Sequence, residues 1–402
     1  MKYTITHIVV VLVMLLISVT NSEAIAIIDV LGGSVDANPP PPPTGVCASG
    51  TYDLINQGTV VTTQGAANNT AMKVSPFEDN NGGIGYTLAS RDNMTIFEDV
   101  LVTWNLNQSP ATINATAFLN TVVTTPDTYN ALGGAFFDAT KSAKFGFAGH
   151  QRTAPCDVTP CLHVRTFANV TTVVNISGTP GGTNGAGVSF SHAPDNGTEL
   201  YILYRNDTGV TTVGRVTTST YQLNGTVAFA GDVIRGISSD DTSVYVLGTI
   251  SGALAISKIN RSTLAKVETA ISGGGTDTAG ITHSNGFVYV GITQGGNGIV
   301  QKYRTSDMTL QGSVTLGAGV IVLRSGMNRD AVNNKLYVVS VGGGGGQWYR
   351  IHPDTMVTEQ SIGVGFAIDD FGVGVDFIHQ RLWQTSKSGG NFLQLTKISL
   401  CT

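Results

Sequence analysis

The chain has 402 residues, with 22 Lys and Arg against 27 Asp and Glu, a net charge of -5 and only 12% charged residues. Without a basic stripe it offers no footprint for nucleic acid. Its 50 glycines, far above ordinary usage, favour short strands joined by tight turns.

At the N-terminus Lys2 precedes an apolar run from Ile8 to Val19, and Ser22-Glu23-Ala24 supplies the small residues that a signal peptidase reads. Residues 1–24 are therefore read as a signal peptide, with cleavage after Ala24 or, as second choice, after Ala26. The apolar run is shorter than the roughly 20 residues a membrane helix needs. Residues 25–46 contain five consecutive prolines, Pro39 to Pro43, which hold polyproline II and make a stiff exposed spacer. The folded domain is predicted over 47–402. No second apolar segment follows, and the tail QLTKISLCT is too polar for a GPI signal. The expected location is secreted, extracellular.

Ten Asn-x-Ser/Thr sequons, at Asn68, Asn93, Asn107, Asn114, Asn169, Asn175, Asn196, Asn206, Asn224 and Asn260, are expected glycosylation sites. Chance would give roughly five. The excess and the leader together describe a secretory glycoprotein.

Along the folded part an aromatic core recurs: Tyr201 (LYILY), Tyr245 (VYVLG), Tyr289 (VYVGI), Tyr337 (LYVVS) and Trp383 (LWQTS), at spacings of 44, 44, 48 and 46 residues. Each unit repeats its turns. Asn196-Gly197, Asp240-Asp241, Asn285-Gly286 and Asn333-Asn334 precede the aromatic strand; Asp207-Thr208-Gly209, Ser251-Gly252, Gly295-Gly296, Gly342 to Gly346 and Gly389-Gly390 follow it. A third break comes at Ser262-Thr263, Ser306-Asp307 and Pro353-Asp354. Three turns make four antiparallel strands per unit, and a period near 40 to 50 residues is that of a propeller blade.

A glycine opens the innermost strand at Gly187, Gly236, Gly280, Gly326 and Gly374, where converging strands crowd the axis. Weaker units surround Phe145 (KFGFAG), with Gly134 before it, and Tyr86 (GYTLASRD), whose continuation is irregular. The prediction is an all-β, seven-bladed β-propeller of four-stranded antiparallel blades. Its last unit stops after the third strand, LQLTKISL, so the segment TYDLINQGTVVTT after Cys47 is expected to supply the fourth and close the ring.

The motifs Val244-Tyr245-Val246, Val288-Tyr289-Val290 and Leu336-Tyr337-Val338, with Lys258-Ile259-Asn260-Arg261-Ser262-Thr263-Leu264 as a third-strand signature, resemble the YVTN-type branch of the WD-repeat-like β-propeller superfamily. The resemblance covers about the C-terminal half and implies fold alone, because this fold hosts many functions. There is no Trp-Asp dipeptide, no Asp-x-Asp-x-Asp-Gly calcium loop, and only one loose Asp-box match at Asp195-Asn196-Gly197.

The four cysteines are expected to form two disulfides in an oxidising compartment: Cys156 with Cys161, in PCDVTPCLH, and Cys47 with Cys401, across the seam. A zinc site adding His150 and His163 is the alternative for the first pair, but its spacing fits none of the usual structural patterns. No His-Glu-x-x-His, Gly-x-Ser-x-Gly or Gly-x-x-x-x-Gly-Lys motif occurs, and no catalytic residue or cofactor is assigned.

A ligand at the central mouth would meet Asp232, Arg235, Asp277, Arg324, Asp369 and Asp370, where the innermost strands begin. The primary reading is a non-enzymatic module binding an extracellular protein or glycan. A structural glycoprotein that self-assembles in a cell coat, matrix or filament is the runner-up. The third reading is an enzyme, a propeller lactonase or quinone-dependent dehydrogenase. The lactonase resemblance would recruit Asp277, Asp369, Asp370 and Asn328 around Ca²⁺.

Overall fold

The computed structural model describes residues 52–61, 73–77, 84–92, 96–107, 112–123, 134–136, 144–149, 161–166, 171–175, 189–191, 199–205, 210–217, 219–220, 222–230, 233–342, 345–364, 373–376, 380–387 and 393–401. Residues 45–402 form one compact unit.

Every described element of this unit is a strand. After β1 (Tyr52–Val61) come β2 (Lys73–Phe77), β3 (Ile84–Asp92), β4 (Ile96–Asn105) and β5 (Thr112–Val123), which make one sheet. A second holds β6 (Gly134–Phe136), β7 (Lys144–Gly149), β8 (Cys161–Thr166) and β9 (Thr171–Asn175). A third holds β10 (Ser189–Ser191), β11 (Glu199–Arg205), β12 (Thr211–Thr217) and β13 (Gln222–Phe229). The fourth comprises β14 (Val233–Ser239), β15 (Ser243–Ile250), β16 (Ala253–Asn260) and β17 (Lys266–Ala270). The fifth comprises β18 (Thr276–Ser284), β19 (Phe287–Gln294), β20 (Asn297–Arg304) and β21 (Leu310–Ala318). β22 (Ile321–Asp330), β23 (Lys335–Gly342), β24 (Gly345–His352) and β25 (Val357–Gly363) follow. The remaining strands, β26 (Val373–Asp376), β27 (Arg381–Lys387) and β28 (Leu393–Cys401), share a sheet with β1 in the order β1-β28-β27-β26.

All pairings are antiparallel, and the described strands fall into seven sheets of four. The first strand of each sheet lies beside the first strand of the next, and β26 lies beside β2. The region after Tyr86, irregular as a sequence, pairs β4 with β5 from Ile96 opposite Val123 to Asn105 opposite Thr112, with register shifts between Asp99 and Val100 and between Thr103 and Trp104.

Burial explains the composition of each strand. β15 is buried along almost its whole length, because neighbouring sheets cover both faces, so it reads as a continuous apolar run. β25 alternates exposed and half-buried residues, as expected of an edge with one face toward solvent. The hairpin tips Ser251-Gly252, Asn285-Gly286 and Gly295-Gly296 have both central φ angles between 51° and 81°, the type I′ geometry that matches strand twist.

The turns between third and fourth strands share a less common design. Leu264, Met308 and Met356 have φ of 58°, 55° and 52°, and each donates its N–H to the carbonyl four residues back, at 2.8 Å. A left-handed non-glycine residue costs about 1–2 kcal/mol. Burial of Met308 and Met356 offsets that cost.

Register gives the aromatic repeat its physical meaning. Tyr201 stands opposite Arg215, Tyr245 opposite Lys258, Tyr289 opposite Lys302, Tyr337 opposite Arg350 and Trp383 opposite Lys397. Phe145 likewise pairs with Arg165, while Tyr86 pairs with Thr103.

Four of these third-strand cations reach across to the next sheet, while Arg350 donates to Glu359 on β25 of its own sheet at 2.9 Å. Lys258 Nζ donates to the Thr305 carbonyl at 2.6 Å, Lys302 Nζ to Pro353 at 2.9 Å and Lys397 Nζ to Leu106 at 3.0 Å. Arg215 donates to the Arg261 carbonyl. Each of these four acceptors lies in the turn that follows the neighbour's third strand. Lys397 thus joins the sheet of β26–β28 to that of β2–β5 by the same bond that ties interior sheets.

The glycine expectation is corrected: Gly236, Gly280 and Gly326 stand fourth, fifth and sixth in β14, β18 and β22 and do not open them, and only Gly374, second in β26, lies near its strand's start. Gly236 and Gly280 pair two residues beyond the aromatic, opposite Leu247 and Gly291, and Gly326 immediately precedes Met327, which pairs with Val338. Gly374 instead pairs with Trp383 itself, two positions further along. Gly187 lies outside the described residues.

Candidate functional site

In a four-stranded antiparallel sheet, the turns joining strands one to two and three to four lie at one end. The two-to-three turn and the crossover to the next sheet lie at the other. Three of the predicted ring residues are described and belong to the crossover end. Arg235 is on β14, Asp277 on β18 and Arg324 on β22, and these three strands are neighbours.

Each of the three residues falls where its strand leaves the regular ladder. Register shifts occur between Ile234 and Gly236, between Thr276 and Gly280, and between Val322 and Met327. Counted back from the residue opposite the aromatic (Ser238, Thr282 and Asn328), they stand three, five and four positions away. The structure therefore places Arg235, Asp277 and Arg324 within two residues of one another along the strand direction. Their side chains, and all of Asp232, Asp369 and Asp370, lie outside what is described.

Asn328 does not join them. It stands opposite Tyr337, on the level of the aromatics, whereas Asp277 lies about three to four partner-strand residues beyond that level, roughly 12 Å at about 3.3 Å per residue. The Ca²⁺ set drawn from Asp277 and Asn328 is not brought together at one level. No group of three or more His, Cys, Asp or Glu suited to a metal occurs among the described residues. His150 and Cys156 are outside them, and His163 sits within β8 opposite Phe147.

The polar groups at the opposite end serve the sheet junctions. Glu199 accepts from Arg261 at 2.9 Å and from Tyr201 Oη at 2.7 Å, while the Arg261 guanidinium lies 5.6 Å from the Tyr201 ring centre. Burial pushes the Glu199 carboxyl up, but hydrogen bonds from Tyr201 and Arg261 hold it below its ordinary value. Tyr201 is raised by burial and by that carboxylate.

One pairing has the residue types of a nucleophile and a base. Ser238 Oγ lies 3.2 Å from His283 Nδ1, and burial lowers the His283 pKa. The nearby Asp240, however, accepts from Tyr245 Oη at 2.6 Å and from Thr242 and Ser243, and the Tyr245 ring stacks on His283. The group packs two sheets together; it is not arranged as a triad, in which the carboxylate would orient the imidazole.

A buried polar cluster that the sequence reading missed lies toward the crossover end. Tyr303 Oη donates to Gln301 Oε1 at 2.6 Å and accepts from Ser272 N–H at 2.9 Å, and Gln301 Nε2 donates to the Ser272 carbonyl at 3.0 Å. A glutamine and a tyrosine where the neighbouring units have Ser257 with Ile259 and Tyr349 with Ile351 are the signal that could have found it. The missed cations leave a clearer trace: a Lys or Arg recurs at one place in VRT, GRV, SKI, QKY, YRI and TKI.

Solved structures share this architecture. The RRP9 WD40 repeats superpose with a TM-score of 0.56 at 8% identity, covering 87% of this chain and 100% of that one. The fold is that of a β-propeller. The propeller domain of the Trilobed protease from Pyrococcus furiosus, described as having an open velcro topology, gives 0.54 at 11% identity over 82% and 94% of the two chains. The BP39L lectin from Burkholderia pseudomallei gives 0.56 at 13% over 82% and 96%. No family profile and no curated protein sequence matches the propeller chain. At these identities the likeness establishes the fold and nothing finer.

Cys401, at the end of β28, is disulfide-bonded. It stands opposite Tyr52 in the β1–β28 ladder. The described sequon side chains Asn107, Asn224 and Asn260 are exposed.

Proposed function

We propose that this chain is a secreted, glycosylated, seven-bladed β-propeller that binds an extracellular protein or glycan at its central mouth without catalysing a reaction. The observation that carries the reading is the loss of ladder register at Arg235, Asp277 and Arg324 on three neighbouring inner strands. Bulges re-aim side chains and gather beside functional sites, and a set of residue types with two arginines and an aspartate suits a polar partner bearing both signs or many hydroxyls. Asp232, Asp369 and Asp370 complete the ring in this reading.

The ring closes by β1 as the fourth strand of the last blade, with a Cys47–Cys401 disulfide at that seam and a Cys156–Cys161 bridge in the second blade. The likeness to a lectin and to WD40 repeats supports a recognition role only as far as a shared scaffold permits. All ten sequons lie at or before Asn260, which leaves residues 275–402 as the sugar-free arc toward which a partner is directed.

The test is capture of partners by the glycosylated mature protein from its native extracellular surroundings, with mass spectrometry, alongside a printed glycan array. The variant combining Arg235→Ala, Asp277→Ala and Arg324→Ala should lose the specific partner while keeping its thermal midpoint. Equal capture by a folded triple variant sinks the reading.

A further inference from the structure

We propose that Gln301 and Tyr303 are positioning residues for Asp277, holding from below the loop that delivers it to the mouth. Its functional importance rests on the reading of Asp277 given above; the mechanical claim stands separately.

The loop in question, residues 271–275, crosses from β17 to β18, and Asp277 is the second residue of β18. Gly273 and Gly274 have φ of 77° and 70°. Such a glycine-rich segment has wide conformational freedom, so its path must be imposed from outside. Three groups impose it at Ser272. Tyr303 Oη accepts from its N–H, Gln301 Nε2 donates to its carbonyl, and Gln294 Nε2 donates to that carbonyl at 3.3 Å and to the Gly274 carbonyl at 3.1 Å. Thr276, between loop and Asp277, pairs with Thr293.

Packing alone does not call for these side chains. Tyr303 stands opposite Val288, and at the same register the preceding and following sheets place Ile259 opposite Val244 and Ile351 opposite Leu336. Both isoleucines are fully buried. An isoleucine therefore satisfies the core at this position. The fifth sheet replaces it with a tyrosine, backed by a glutamine, whose polar atoms reach the crossover loop. Tyr303 is 2% and Gln301 4% exposed, so this is a buried, satisfied network, which fixes one geometry more firmly than apolar contact does.

The experiment installs the neighbouring sheet's own residues, Gln301→Ser with Tyr303→Ile, in the full mature chain, with Tyr303→Phe as a second variant. Because the fourth sheet carries Ser257 and Ile259 at those places, the double variant should fold. A nitroxide attached through Asp277→Cys reports motion at the site, and one through Asp241→Cys at the opposite end serves as control. Amide exchange is followed in peptides covering 268–280. The expected result is a mobile nitroxide at 277, an unchanged one at 241, and exchange near Ser272 faster by about tenfold or more, with the thermal midpoint within a few degrees of wild type. Two results overturn the proposal: an immobile label at 277 in both variants, or loosening spread equally over the core strands, which is a purely structural role. If the label loosens but Asp277→Ala leaves partner capture intact, the clasp is real and the binding reading fails.

Discussion

The third-to-fourth-strand corner of the β18–β21 sheet and the equivalent corner between β28 and β1 solve one geometric problem by opposite means. In the first, residues 304–309 form a local turn: Met308 N–H reaches the Arg304 carbonyl at 2.8 Å, Asp307 accepts from Thr309 N–H at 3.1 Å, and Met308 tucks its side chain inside. In the second there is no turn. Tyr52 and Cys401 meet as ladder partners from positions 349 residues apart, Cys401 is disulfide-bonded, and Leu54 N–H is held by Gln360 Oε1 at 2.7 Å. A local corner closes at small entropic cost, whereas joining distant segments must first offset a large loop-closure entropy. The seam accordingly relies on long-range contacts, the Leu54 N–H to Gln360 Oε1 bond among them, where the interior corner uses a local turn.

Deleting residues 45–63 should break the comparison most severely. It removes the burial of Leu54, worth about 2–3 kcal/mol, together with the ladder bonds of β1, and bares the β28 edge. We expect a large fall in thermal midpoint and association of the truncated chain, read by calorimetry and light scattering. A monomer with the wild-type midpoint would show that the seam contributes nothing.

Cys401→Ser comes next. If its partner is Cys47, the lost constraint is at most about 6 kcal/mol in the chain-entropy treatment, and strain or residual structure reduces it. The variant should stay monomeric, since the β1–β28 ladder remains. Non-reducing peptide mapping of the wild type identifies the partner; a Cys401–Cys156 peptide would redraw the seam.

Lys302→Met and Lys397→Met then compare an interior tie with the seam-side one. Each strands a turn carbonyl, Pro353 or Leu106, at a cost of about 1–3 kcal/mol. The two losses should be similar, because the tie is the same bond. A far larger loss for Lys397→Met in chemical unfolding would mean that the seam depends on it specially.

The smallest effect is one of pH. Burial, then the Arg381 charge, lowers the Lys397 pKa in the folded chain. Between that lowered value and the ordinary lysine value the unfolded chain binds more protons, so stability rises with pH through this window. Subtracting the alkaline profile of Lys397→Met from that of wild type should isolate a small upward step; a flat or falling difference contradicts the assignment.

Much of this arrangement was legible as spacing. Tyr201, Tyr245, Tyr289, Tyr337 and Trp383, aligned by letters alone, occupy one register position opposite a cation, because strand period and turn chemistry are local properties. Glycine matches were less reliable. Gly374 pairs with Trp383 and not beyond it, since a glycine in a glycine-rich chain carries little positional information. Of the proposed mouth residues, Arg235, Asp277 and Arg324 were chosen by their place near the start of inner strands, and they do lie on β14, β18 and β22. Their common departure from the ladder could not be read that way, because a register shift depends on the partner strand as well as the strand itself.

The sequence by itself determined the four-stranded unit, its period and the likeness to a propeller, because hydrophobic alternation and Asn-Gly or Gly-Gly turns act over a few residues. Only the tertiary structure decided what joins one unit to the next. Lys258, Lys302 and Lys397 look like ordinary surface cations in the chain, yet each is directed at a carbonyl in another sheet. Gln301 and Tyr303 look like irregularities of a core strand until Ser272 is brought against them. A backbone carbonyl has no letter of its own, so a bond to one cannot be read from the sequence until folding brings that carbonyl within reach.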